Sequence, residues 1–161
     1  MAKAVLNQIL RSFLYRDKYT FKNLYTTYVR PHLEFASIAW TPWMAKDIEL
    51  LESIQEKFAR NVSGLKGTTY LEKLIELDLM TLEDRRGYID LVETYRIIYS
   101  ITCKDPTAFF TFTGSRSGRT TRLTEYPRNI IPKRSNLDIH KYFFTQRVAP
   151  KWNNLPTDIR E

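Results

Sequence analysis

Regularly spaced cations are the residues of this chain best suited to meet a ligand. Arg116, Arg119 and Arg122 recur at every third position, and Arg128, Lys133 and Arg134 follow them. Each such cation can release a counterion from a phosphate, so the chemistry they suggest is contact with a polyanion backbone. Arg85-Arg86 beside Gly87 is a second phosphate candidate. At a helix start, however, two cations oppose the dipole, and they can instead pair with Glu83, Asp90 or Glu93.

Other chemistry has less to stand on. Glu83 and Asp84 are adjacent, hence about 100° apart on a helix, and a first turn favours carboxylates for its own electrostatics. No motif places a nucleophile or carboxylate beside His32, which is expected to be a partly buried, hydrogen-bonded side chain. Ser37 and Cys103 have no context for nucleophilic activation. One cysteine excludes an internal disulfide and suggests a reducing compartment; with only two histidines beside it, no zinc constellation forms. There is no glycine-rich phosphate loop. Catalytic residues, metal and cofactor are all expected to be absent.

Charge location sharpens the polyanion expectation. The formal charge is +7, but Met1 to Thr113 holds 15 Lys and Arg against 14 Asp and Glu. Gly114 to Lys151 holds nine against two, so the excess is concentrated in one segment, as in nucleic-acid-binding proteins. With 161 residues, 43% hydrophobic and 14% aromatic, the chain can bury a core. No run approaches the roughly 18 apolar residues of a membrane span. The apolar face of the first 16 residues is interrupted by Asn7, Gln8 and Arg11, unlike a signal peptide. An intracellular location, nucleus or cytoplasm, without a membrane partner is therefore expected.

The elements that would carry these residues are helical. Val5, Leu6, Ile9, Leu10, Phe13 and Leu14 form one stripe, and after a turn Phe21, Leu24, Tyr25, Tyr28 and Val29 form another. Pro31 predicts a kink or a restart of this second helix. Thr41-Pro42 stops it, Trp40 and Trp43 are expected to pack back on the elbow, and the period resumes from Asp47 to Val62 with Gly64 as C-terminal cap. A loop over Lys66 to Thr69 leads to a short helix at Tyr70 to Leu77. Thr81-Leu82-Glu83-Asp84 then caps the best-patterned helix, in which Tyr88, Leu91, Val92, Tyr95, Ile98 and Tyr99 are the expected core face and Asp105-Pro106 the end. Gly114 to Arg122 has no apolar residue and predicts a flexible loop. A last amphipathic segment carries Phe143, Phe144 and Trp152, which can stack on bases but at helical spacing are read as core.

Three blocks in order carry a resemblance. Tyr28-Val29-Arg30-Pro31-His32-Leu33-Glu34-Phe35-Ala36 with Trp40-Thr41-Pro42 comes first. Leu74-Ile75-Glu76-Leu77-Asp78-Leu79 with Thr81-Leu82-Glu83-Asp84-Arg85-Arg86 is second. Phe143-Phe144-Thr145-Gln146-Arg147-Val148 with Trp152-Asn153-Asn154-Leu155-Pro156 is third. Together they resemble the region C-terminal to the palm, thumb and post-thumb, in reverse transcriptases of jockey-like non-LTR retrotransposons. The resemblance implies a non-catalytic piece of an RNA-directed DNA polymerase that grips RNA/DNA template-primer by its phosphates, with the fingers and palm of a parent polymerase as further partners. Those enzymes hold metal ions on paired palm aspartates. No Asp-Asp pair occurs here, so no catalytic residue carries over.

The expected fold is all-α, a small helical bundle with a loop-rich basic C-terminal third. Residues 1–113 would be the thumb-like domain, 114–138 a flexible basic loop, and 139–161 an amphipathic segment packing back on the bundle. The alternatives are a helical protein-interaction module, using the Tyr88 to Tyr99 face or the Trp40/Trp43 elbow, and a non-functional transposon remnant.

Overall fold

The computed structural model describes residues 1–102, 104–113 and 128–160. Its fold is all-α: α1 Ala2–Ser12, α2 Lys18–Leu24, a π-helical turn Tyr25–Val29, α3 Arg30–Glu34, α4 Ala45–Arg60, α5 Tyr70–Glu76, α6 Leu82–Ile98, α7 Pro106–Phe109, α8 Asp138–Lys141, α9 Phe144–Asn153 and α10 Thr157–Arg160. Contacts divide the chain into two units. The first comprises Met1–Ser37 and Pro42–Arg86, the second Ile38–Thr41 and Gly87–Glu161. The division thus falls inside α6 rather than at Thr113, and the terminal segment packs with the second half of α6 in a core of its own.

In the first unit, Phe21, Tyr25, Val29 and Leu33 are buried at intervals of four residues. A regular α-helix would rotate each about 40° past the last. The wider π turn absorbs that drift, and the Arg30 N–H bonds the Tyr25 carbonyl five residues back. This also answers the constraint at Pro31, which has no N–H to donate and becomes one of the opening residues of α3. Two of them meet α4: the Tyr25 and Phe58 rings stack with centroids 4.2 Å apart, and Phe21 lies 5.7 Å from Phe58. Arg16 secures the turn before α2, donating to the Asn61 side chain and to the Leu10 carbonyl, each at 2.9 Å.

Helix ends follow local polar chemistry. Asp17 accepts from the Thr20 N–H at 2.9 Å, a bond that holds its carboxyl below the usual range. Thr69 and Glu72 form a reciprocal capping box at α5, a Thr-x-x-Glu signature plain in the sequence. Thr81 caps α6 by accepting from the Asp84 N–H at 3.1 Å. α4 ends at Arg60 with Asn61 as cap, not at Gly64. α6 stops at Ile98, ahead of Asp105-Pro106: Ser100 adopts φ 55°, and the Ile101 N–H reaches back to the Arg96 carbonyl at 2.9 Å. Asp105 and Pro106 instead open α7.

One side chain network crosses the first core. Tyr25 donates to Gln55 Oε1 at 2.7 Å, and Gln55 Nε2 donates to the Tyr70 hydroxyl at 3.1 Å and the Met80 carbonyl at 2.9 Å. Tyr70 donates to Glu52, whose other oxygen accepts from the Leu82 N–H at 3.0 Å. Burial raises both phenols above their ordinary value of 10.0. In an unfolded chain they ionise near pH 10 while the folded state keeps them neutral, so their contribution is complete below about pH 10 and is lost as pH rises beyond it. The urea midpoint is therefore expected to fall steeply between about pH 9.5 and 11, and less steeply in Tyr25→Phe. Equal slopes would remove Tyr25 from the account.

The second unit is built on Ile97, Phe110, Ile130, Phe144, Val148, Ala149 and Trp152. Phe144 and Trp152 are core as expected, whereas Phe143 is half-exposed. The expected buried face of α6 holds in part: Leu91, Ile98 and Tyr99 pack against this core, and the expectation is corrected at Tyr88 and Tyr95. Tyr88 is 52% and Tyr95 40% exposed, while the inward line is Leu82, Arg86, Asp90, Thr94 and Ile97, none above 3%. Asp90 and Thr94 of this line are hydrogen-bonded. Arg147 grips Asp90 with Nε and Nη2, both at 2.8 Å, and the Thr94 hydroxyl donates to the Asp90 carbonyl at 2.8 Å. A buried polar line is tolerated only with such partners.

Candidate nucleic-acid interface

The basic segment is held at both flanks. Residues 111–113 and 129–131 run antiparallel through a bridge between Phe112 and Ile130, with the Ile131 N–H 2.8 Å from the Thr111 carbonyl. α9 locks this pairing. The Asn153 side chain accepts from the Ile130 N–H and donates to the Ile130 carbonyl, both at 2.9 Å, as a neighbouring strand would. Trp152 Nε1 donates to the Arg128 carbonyl at 3.1 Å. Trp152-Asn153 in the third block is thus a clamp on the base of the cationic segment.

The candidate cations have separate fates. Arg116, Arg119 and Arg122 lie outside the described residues, as do Cys103 and residues 114–127 of the expected flexible loop. Lys133 and Arg134 are exposed, and neither makes an ion pair among the described residues. The Arg128 guanidinium is 4.9 Å from the Tyr99 ring centroid, with Nη1 donating to the Tyr99 hydroxyl at 2.8 Å and the Arg160 carbonyl at 3.0 Å. Lys141 pairs with Asp138 at 2.8 Å, which raises its pKa, and Arg147 is occupied by Asp90.

Arg85 and Arg86 both have partners within the protein, and burial corrects Arg86 as a phosphate contact. Arg85 Nε lies 2.9 Å from Glu34, a carboxylate contributed by α3 rather than Glu83, Asp90 or Glu93. Arg86 is buried and donates to the Leu33 carbonyl, so a duplex backbone has no access to it. These two arginines therefore join the first and second blocks of the sequence inside one unit. Glu93 pairs with Lys104 at 3.1 Å.

Glu83 and Asp84 sit in the first turn of α6, where Asp84 takes a 2.8 Å hydrogen bond from the Thr81 hydroxyl. His32 is exposed, contrary to expectation, and Ser37 is buried. Trp40 and Trp43 keep more than two-fifths of their surface exposed. Among the described residues no cluster of His, Cys, Asp and Glu could hold a metal ion, and no helix is long and apolar enough to cross a membrane.

Sequence reasoning passed over Gln55 and the pairing of Asp90 with Arg147. Gln55 stands on the polar side of a helical pattern, and the Asp90–Arg147 pair is 57 residues apart, beyond any local signal. On α6, Tyr95 and Tyr99 pack with ring centroids 4.3 Å apart and planes tilted by 33°. Comparison with protein-family models, curated proteins and solved structures finds no match to this chain.

Proposed function

We propose that this chain is a non-catalytic nucleic-acid-binding region of the kind that follows the palm in non-LTR retrotransposon reverse transcriptases. Its work is to hold RNA/DNA template-primer by the phosphates. The observation that carries this reading is the run of six cations from Arg116 to Arg134 against one acid, Glu125, whose C-terminal flank is tied to α9 through Trp152 and Asn153. Lys133 and Arg134 stand exposed beside that root. Phosphate contacts carry no base information, so affinity depends on charge and salt rather than on sequence.

The residues of the sequence resemblance support the same reading from another side. Glu34, Arg85 and Arg86 meet in one unit, and Arg147, Trp152 and Asn153 organise the other. They are architectural, which leaves ligand contact to the cations between them. A helical protein-interaction module is the second reading, favoured by the exposure of Tyr88 and Tyr95.

Binding to a labelled RNA/DNA hybrid at several salt concentrations tests the proposal. The logarithm of affinity is expected to fall linearly with log salt, by about 0.7 to 0.9 per phosphate neutralised. Arg116→Ala, Arg119→Ala and Arg122→Ala together should reduce that slope by roughly two to three, and Lys133→Ala with Arg134→Ala by roughly one to two. With magnesium, nucleotides and a primed template, no primer extension should occur. Extension, or absence of salt-dependent binding, would overturn the proposal.

A further inference from the structure

We infer that the outward face of α6 is a stacking platform for the unpaired bases of a single nucleic-acid strand, an inference that rests on the nucleic-acid-binding reading. Tyr88, Tyr95 and Tyr99 are spaced seven and four residues apart, which places them on one side of the helix. Tyr88 and Tyr95 are exposed, and the half-buried Tyr99, at the edge of the second core, packs against Tyr95 with ring centroids 4.3 Å apart and planes tilted by 33°. Arg128 lies over Tyr99 at one end. At the other, Lys151 is exposed and extends across Gly87, the residue before Tyr88. A Cβ placed on Gly87 would come within 2.6 Å of the Lys151 Nζ. Aromatic rings between cations are what a flexible strand needs: π faces for its bases and positive charge for its phosphates.

The composition of the face selects this occupant over a partner helix. A helix docking in a protein groove offers aliphatic anchors at three- and four-residue spacing. On α6 those anchors point elsewhere, since Leu91, Ile97 and Ile98 pack into the second core. What remains outward is led by the tyrosines, with the half-buried Ile89 and Val92 beside them and Arg96 exposed on the flank. Tyr88 and Tyr95 are about 10 Å apart along the axis at 1.5 Å per residue, far enough to receive different bases. A duplex, whose bases are already stacked on one another, gains little from such a surface.

The test compares wild type with Tyr88→Leu/Tyr95→Leu and Tyr88→Phe/Tyr95→Phe. Three probes of equal length are used: a single strand, the same strand made abasic, and a duplex. Wild type is expected to prefer the single strand over the abasic one by about tenfold or more, the leucine variant to lose that preference with its salt slope unchanged, and the phenylalanine variant to keep it. Unchanged thermal melts establish that the variants fold. Equal wild-type binding with and without bases overturns the platform while leaving the phosphate-binding proposal standing. So does a preference that survives in the leucine variant. Absence of binding to every probe overturns both. If the leucine substitutions change sedimentation of the free protein but not base preference, the face joins two copies of the chain and the platform is wrong.

Discussion

Replacing Asp90 by alanine is expected to lower the stability of the second unit by about 3–5 kcal/mol, the usual effect of removing one partner from a buried ion pair. The Arg147 and Asp90 side chains are 12% and 4% exposed. The guanidinium contacts Asp90 twice at 2.8 Å, the Ile38 carbonyl at 3.1 Å and the Tyr142 carbonyl at 3.1 Å. Without the carboxylate its charge stays largely out of water, with only partial dipoles facing it. Asp90→Asn keeps an acceptor of the same shape and should fall between wild type and alanine. Combining Asp90→Ala with Arg147→Met should recover part of the loss, because an apolar pair leaves no buried charge behind. Urea denaturation measures all four proteins. A change under about 0.5 kcal/mol for Asp90→Ala would mean that this pair does not organise the unit.

Trp152→Ala is expected to cost about 3–5 kcal/mol by the loss of a fully buried indole from a packed core. It also removes the 3.1 Å hydrogen bond to the Arg128 carbonyl, and with it one of the ties holding the end of the basic segment. Two readouts are therefore linked. The denaturation midpoint should drop, and hydrogen exchange at the Ile130 and Ile131 amides should accelerate more than exchange at Phe21 or Tyr25 in the other unit. Uniform acceleration across both units would show that Trp152 supports the whole chain rather than this anchor. Trp152→Phe keeps most of the packing without the N–H. It should therefore separate the core contribution from the clamp.

Much of the helical architecture was legible because its causes are local. Three- and four-residue apolar spacing marked α1, α2, α4 and α5, and the Thr81 cap was plain from its own four residues. The π turn was not legible as such, although its cause was: apolar positions four apart at Phe21, Tyr25, Val29 and Leu33, ahead of a proline. The fates of individual tyrosines were hidden. Tyr25 is buried because Gln55 meets its hydroxyl, whereas Tyr88 and Tyr95 look outward. An amphipathic ring suits either place, and what is packed against it decides.

From the sequence alone came the helical class, the location of the charge excess and the lack of paired aspartates, since composition, period and residue identity need no partner to be read. The inward side of α6 was decided only by tertiary structure. Periodicity states which residues share a face, not which face turns inward. Here Asp90 met Arg147 from a distant helix and Arg86 met the Leu33 carbonyl, so a polar line turned inward, while Leu91, Ile98 and Tyr99 pack at the edge of the core and Tyr88 and Tyr95 were left in water.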